Sequence, residues 1–247
     1  MAATIPTRRS VGQASPPAWI KPQLAKLIEK APDGPDWLHE IKFDGYRMHA
    51  RLDAGRAQIL TRRGNDWTAK YPAIAEAIAG LPAQNAYLDG ELCGVLPDGR
   101  TAFNLIQNAT DTGEGSLVFF LFDLLFLDGE NLMALPLLER KSRLASLLNS
   151  MPNSLRYNDH QIGHGPEFHR LACEHGVEGI VSKRTNSPLS WPLSTILLRA
   201  TAFPNGRSAA CPKVLCLVKL FWRHYTSIAS ANSPVRSPAT SDHASMS

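Results

Sequence analysis

Cysteine is scarce in this chain, with four among 247 residues. That is too few for a disulfide scaffold at this length, and a reducing, cytoplasmic setting is the simplest expectation. Long apolar runs are missing too: the longest uncharged one, Leu117 to Phe122, stops at Asp123. A membrane-spanning helix needs roughly 20 such residues. No apolar stretch follows the early arginines Arg8 and Arg9, so a secretory leader is not expected. The end of the chain lacks acids. Of 22 acidic residues, 21 lie at or before Glu178, and only Asp242 falls among the 63 residues from Thr185 to Ser247. Twenty basic residues precede Thr185 and six follow it. The net charge of +4 therefore resides in the tail and is no sign that the main body binds nucleic acid.

What is present fits a soluble globular protein: 44% hydrophobic and 19% charged residues exclude collagen-like and wholly disordered chains. Residues 1–15 read as a disordered leader. From there short strands and helices alternate. Alternating polarity over Glu40 to Leu52 predicts a strand with a turn or bulge at Gly45, and Ala57 to Thr61 a second strand. Pro72 to Ala79 reads as a helix ending at Gly80. Ala86 to Val95 and Leu117 to Leu127 read as strands, the latter buried on both faces. Leu137 to Leu148 has helical spacing of leucines, with Glu139-Arg140-Lys141 as its charged face. Glu167 to Glu174 reads as a helix closed by Gly176, and Val177 to Lys183 as a last strand. The order is mixed α/β, of the α+β class, without the Gly-rich turn of a dinucleotide-binding sheet. The scattered histidines, His39 among them, read as surface or helix-face residues. Beyond Pro188 neither helical nor strand periodicity is visible, and residues 189–247 read as a divergent, poorly ordered tail.

Four short stretches carry chemistry. In Glu40-Ile41-Lys42-Phe43-Asp44-Gly45-Tyr46-Arg47, a continuous strand puts Lys42 and Asp44 on one face, an amine and a carboxylate sharing a pocket wall. A lysine attacks only when neutral, and its reference pKa near ~10.4 opposes that unless burial or nearby positive charge intervenes. Arg47 offers a planar fork for phosphate or ribose oxygens. The second stretch, Thr61-Arg62-Arg63-Gly64, is a basic turn; the third, Leu88-Asp89-Gly90-Glu91, sets a carboxylate in a buried-looking strand. The fourth, Glu178-Gly179-Ile180-Val181-Ser182-Lys183-Arg184, opens on an acid and closes on two cations. Buried carboxylates need partners, and a divalent cation or a ribose hydroxyl serves as one. Taken singly, each stretch fits an ordinary turn or a solvated ion pair equally well.

In this order and spacing the stretches resemble the successive motifs of the covalent nucleotidyltransferases, the superfamily of ATP-dependent DNA ligases, RNA ligases and capping enzymes. The first is similar to K-x-D-G-x-R, the third to D-G-E, the fourth to E-G-[IV]-[VM]-x-K, and Phe120-Leu121-Phe122-Asp123 to the intervening aromatic–aspartate segment. Trp37-Leu38-His39-Glu40, the FDLLFLDGE run, LPLLERK and EGIVSKR resemble the ligase domain of the bacterial ligase D type, the DNA ligase of non-homologous end joining. The resemblance runs from about Pro17 to Pro188 and implies an adenylation domain over 16–188 with antiparallel sheets and flanking helices. It implies that Lys42 takes AMP from ATP as a lysyl–AMP phosphoramidate. It places Glu40 beside adenine, Asp44 and Arg47 around the nucleotide, Arg62 at the T-R-N-G turn (Arg63 replacing the asparagine) and Glu91 on the ribose. The resemblance further implies that Phe122 stacks on the base, that Lys183 reaches the phosphates and that Glu178 supports Mg²⁺. The implied partner is nicked or broken double-stranded DNA, with end-joining proteins, in a bacterial cytoplasm at the nucleoid and away from membranes.

The family's Trp-Leu-Lys-x-Lys motif, expected shortly after this fourth stretch, has no counterpart: the sequence contains no Lys-x-Lys. The family's following OB-fold domain is likewise not expected here, and the loss of acids and of periodicity near Pro188 suggests a shifted reading frame. Three readings stand at this point. They are a DNA ligase adenylation domain impaired by what is missing, a related RNA ligase or capping-type nucleotidyltransferase, and a non-catalytic remnant.

Overall fold

The computed structural model describes residues 14–96, 101, 106, 116–175, 177–189 and 195–199. The expected leader (over 1–13), the tail beyond 199 and Gly176 lie outside them. Two mainly antiparallel sheets, three α-helices of eight residues or more and a 3-10 helix (Thr68–Lys70) make up most of the described part. The first sheet runs in the order β1 (Lys26–Leu27), β11 (Thr195–Arg199), β10 (Gly179–Arg184), β2 (Trp37–Lys42) and β9 (Gln161–Ile162). The second runs β4 (Arg56–Thr61), β3 (Tyr46–Asp53), β5 (Asn85–Val95), β6 (Ser116–Leu127) and β7 (Glu130–Asn131), with β8 (Leu155–Tyr157) parallel to β6. The helices are α1 (Pro72–Ala79), α2 (Leu137–Leu148) and α3 (Gly165–Glu174).

The turn expected at Gly45 is present, and it divides Glu40–Leu52 between two strands that belong to two different sheets. The chain leaves β2 after Lys42, turns through Phe43-Asp44-Gly45 and enters β3. Alternation of polarity survives the turn, so periodicity does not show that the two halves part into separate sheets. Gly45 is needed because a Cβ there would clash with the Leu92 carbonyl and the Cys93 thiol of β5. A second departure comes after Pro188. Thr195–Arg199 pairs antiparallel with β10 and parallel with β1, extending the first sheet past the point where strand periodicity disappears. Its Ile196-Leu197-Leu198 run is apolar throughout, which hides a period of two.

One face of the second sheet carries Met48, Ala50, Leu52, Leu88, Leu92, Phe119 and Leu121 into a core shared with Ile74 and Ile78 of α1 and Leu144, Leu147 and Leu148 of α2. A second apolar cluster joins the sheets, with Ile41 and Ile180 from one, Cys93, Val118 and Phe120 from the other, and Phe168 and Leu171 of α3. Phe43, in the turn between β2 and β3, stacks on Phe120 with centroids 4.0 Å apart. This cluster packs the two sheets together, and a cleft remains where it does not fill the space between them.

Candidate active site

Pleating decides what faces the cleft. In β3 the residues alternating with the core set are Arg47, His49 and Arg51, and in β5 they are Tyr87, Asp89, Glu91 and Cys93; of these Arg47, Asp89 and Glu91 line the cleft, while Tyr87 and Cys93 pack in apolar clusters. Register sets Arg47 opposite Glu91 and His49 opposite Asp89. In the first sheet Glu40 and Lys42 share a face with Val181 and Lys183, because Glu40 pairs with Val181 and Lys42 with Gly179. The faces meet around a cavity of about 260 Å³ whose walls include Glu40, Lys42, Arg47, Arg62, Glu91, Phe122 and Lys183.

Phe122 and Asp123 both line this cavity, although neighbours in a regular strand point opposite ways. Between β5 and β6, Asp89 pairs with Asp123 but Gly90 with Leu121, which leaves Phe122 as the extra residue of a bulge. The bulge turns the Phe122 ring out of the core and into the cleft. There the Lys183 Nζ lies 4.4 Å from the ring centroid and the Arg47 guanidinium 5.4 Å. Gly90 is required at this crossing: a Cβ would come within 2.6 Å of the Phe120 carbonyl.

Lys42 is half-buried at the end of β2, and its Nζ donates to Glu178 Oε2 just before β10. Arg47 grips Asp89 with two parallel bonds (Nε to Oδ1 at 3.1 Å, Nη2 to Oδ2 at 2.7 Å) and donates to the Gln23 carbonyl at 2.6 Å. Burial opposes ionisation of Asp89, but Arg47, with the His49 imidazole 3.4 Å from Oδ1, outweighs it and holds its carboxyl well below the usual carboxylate range. Glu91 goes the other way. Burial pushes it up from 4.5 to about 7 against the pull of Lys42 and Arg47. Glu40 is almost fully buried between two ammonium groups, with Oε1 2.5 Å from Lys141 Nζ and Oε2 2.6 Å from Lys183 Nζ. Burial raises its pKa, yet the two lysines lower it further, for a net fall.

Of the residues expected at the site, Lys42, Glu40, Arg47, Arg62, Glu91, Phe122 and Lys183 converge on the cavity, and Glu178 touches it through Lys42. Asp44 does not line it. The strand ends before Asp44, so Lys42 and Asp44 share no wall, and the Asp44 amide instead donates to Thr101 Oγ1 at 3.2 Å. The expected charged face of α2 is also corrected. Glu139 is exposed, but Arg140 and Lys141 are buried, Arg140 bridging Asp123 through bonds of 2.8 and 2.9 Å. Both occupy the apolar stripe that runs Leu137, Leu144, Leu148, and that phase is the signal which could have found them. His39, read as a surface residue, is fully buried, with Nδ1 2.7 Å from Ser182 Oγ.

With this geometry in view, the likeness to known proteins is specific. The ATP-dependent DNA ligase domain matches residues 20–190. The chain belongs to this family. It is 40% identical over 189 residues to the multifunctional non-homologous end joining protein LigD of Pseudomonas aeruginosa, covering 75% of this chain and 22% of that protein. It is 30% identical over 172 residues to the SPbeta prophage-derived DNA ligase-like protein LigB of Bacillus subtilis, covering 69% and 62%. A solved structure of mycobacterial DNA ligase D complexed with ATP and MES superposes with a TM-score of 0.63 at 30% identity, covering 72% of this chain and 59% of that one. The chain thus spans less than two thirds of each of these relatives. The fold class is the mixed, largely antiparallel one of the ATP-dependent ligase domains, and among the described residues no helix is long and apolar enough to cross a membrane.

Proposed function

We propose that this chain performs the adenylation step of DNA joining, with residues 16–188 as the adenylation domain. The observation that carries the reading is the meeting of Lys42, Arg47, Glu91, Phe122 and Lys183, contributed by four separate motifs, around one cavity. Lys42 Nζ attacks the α-phosphorus of ATP. An N–P bond forms, the bond to the bridging oxygen of the β-phosphate breaks, and pyrophosphate leaves. The ammonium must first shed a proton, and Glu178 stands on its hydrogen bond to receive it. Phe122 offers its ring to the base, Glu91 accepts from a ribose hydroxyl, and Arg47, fixed by Asp89, and Arg62 face the sugar and phosphates. Lys183 turns from Glu40 to the phosphate chain. Asp44, off the cavity wall, has no contact role in this reading.

Magnesium fits the donor set as a nucleotide-borne ion. Among the described residues no cluster of three or more metal-ligating side chains exists, and magnesium is commonly held by one or two carboxylates together with substrate phosphates. Glu178, with 38% of its side chain exposed, would hold it, and the ion would neutralise charge on the departing pyrophosphate. The relatives' names speak of DNA ligases and of non-homologous end joining; in this reading the partner is nicked or broken double-stranded DNA, together with end-joining proteins, in a bacterial cytoplasm. The missing Lys-x-Lys favours an enzyme slowed in its chemistry. The test is incubation with ATP and Mg²⁺ followed by intact mass: the wild type gains one AMP and Lys42→Ala does not. An adduct that survives Lys42→Ala contradicts the assignment. Nicked DNA against nicked RNA as AMP acceptor separates this reading from an RNA-directed one.

A further inference from the structure

Behind the cavity wall sits a lysine that the proposed chemistry does not use. Lys141 is fully buried on α2 and does not line the cavity. Its Nζ donates to Glu40 Oε1 at 2.5 Å and to the Asn158 carbonyl at 3.0 Å, and it approaches the Phe122 carbonyl at 3.5 Å. All three acceptors belong to residues that line the cavity, and they come from β2, β6 and the segment after β8. One ammonium thus ties three walls together from behind. Core packing does not call for it. Its position lies in the leucine stripe of α2, and desolvating an ion costs several kcal/mol that an apolar residue there would avoid.

The consequence is an asymmetric Glu40. Oε1 is taken from the interior by Lys141, while Oε2 meets Lys183, itself a cavity-lining residue whose Nζ stands over the Phe122 ring. A planar base stacked on that ring takes the space of the Lys183 ammonium, so Oε2 loses its donor and must find another on the base edge. We propose that Lys141 is a positioning residue for base choice. By locking Glu40 with one acceptor oxygen toward the cavity, it makes the site select a purine with an exocyclic amine at that edge over a 6-oxo purine. The inference rests on the nucleotide reading of the cavity given above. A 6-oxo purine sets a carbonyl against Oε2 and leaves a desolvated carboxylate oxygen unpaired. Rejection of that kind is stronger than any a missing apolar contact provides. Without Lys141, Glu40 is free to rotate, and discrimination weakens while stacking and phosphate contacts stay.

Titration calorimetry of the full chain with ATP and with GTP tests this in the wild type, Lys141→Met, Glu40→Gln and the double variant. The wild type prefers ATP by at least about tenfold, and Lys141→Met shifts that ratio toward one. In the Glu40→Gln background the second substitution changes the ratio no further, since Lys141 acts only through Glu40. A purely structural lysine lowers both affinities together and leaves the ratio intact, and that result overturns the proposal. So does a wild type without preference, or a further change of ratio in the double variant. If Lys141→Met does not fold, the comparison of Glu40→Gln with the double variant, where both charges are removed, carries the test. Because binding needs no chemistry, an ATP preference without any Lys42 adduct refutes the adenylation step and keeps this inference. An adduct with equal affinity for both nucleotides does the reverse.

Discussion

Charge pairs of unequal burial decide how this site responds to its surroundings. Glu91 is pushed up to about 7 by burial, so its folded value lies above the ordinary 4.5. The neutral form is favoured by folding. Its contribution to stability is complete below about pH 4.5 and is lost as pH rises through about 7. Glu91→Gln mimics the neutral form. Its melting temperature, relative to the wild type, should therefore rise between pH 5 and pH 8, and thermal denaturation at several pH values checks it. A constant difference contradicts the shift. Arg140 and Asp123 make the opposite case, a buried bidentate pair at 2.8 and 2.9 Å. Arg140→Met leaves Asp123 buried and unpaired, at an expected cost of about 3–5 kcal/mol in urea unfolding. Lys42, Arg47, Glu91 and Phe122 were legible from their motifs. Asp89, Arg140 and Lys141 were not read as site residues, because a charge explained by a partner far along the chain, such as Glu40 for Lys141, looks like an ordinary solvated one.

The strands and helices themselves were largely readable. Pro72–Ala79 and Leu137–Leu148 form where proline at the first turn, glycine after the last and leucine spacing place them. What local pattern hides is the phase change. The bulge at Phe122 shifts which residues of β6 face the cleft, and the turn at Gly45 moves one continuous alternation into two sheets. Both depend on how strands meet, not on their own residues. Gly90 sits where β5 and β6 approach most closely. Gly90→Ala should force the sheet apart there, at an expected cost of about 1–3 kcal/mol in denaturant unfolding. The same substitution should weaken nucleotide binding, because Glu91 and Phe122 flank it. An unfolding midpoint matching the wild type contradicts this account of the crossing.

At the scale of the whole molecule, family membership was legible because motif wording and order are properties of the sequence. The sheet order was not, since β1 and β2 are brought together with β9, β10 and β11 from a distant part of the chain. The cleft draws its lining from both sheets and from α2, so no single element carries the whole set of residues. Without Lys-x-Lys, this chain should accept AMP yet leave a nicked duplex unsealed, which a gel assay on a labelled nick reads directly. Ligated product at a rate matching that of adenylation would show the motif to be dispensable here. The most direct measurement concerns one nitrogen. After incubation with ATP and Mg²⁺, tandem mass spectrometry of the digested protein should place a single AMP on Lys42. AMP on any other residue, or none on a folded wild type, contradicts the account at its centre.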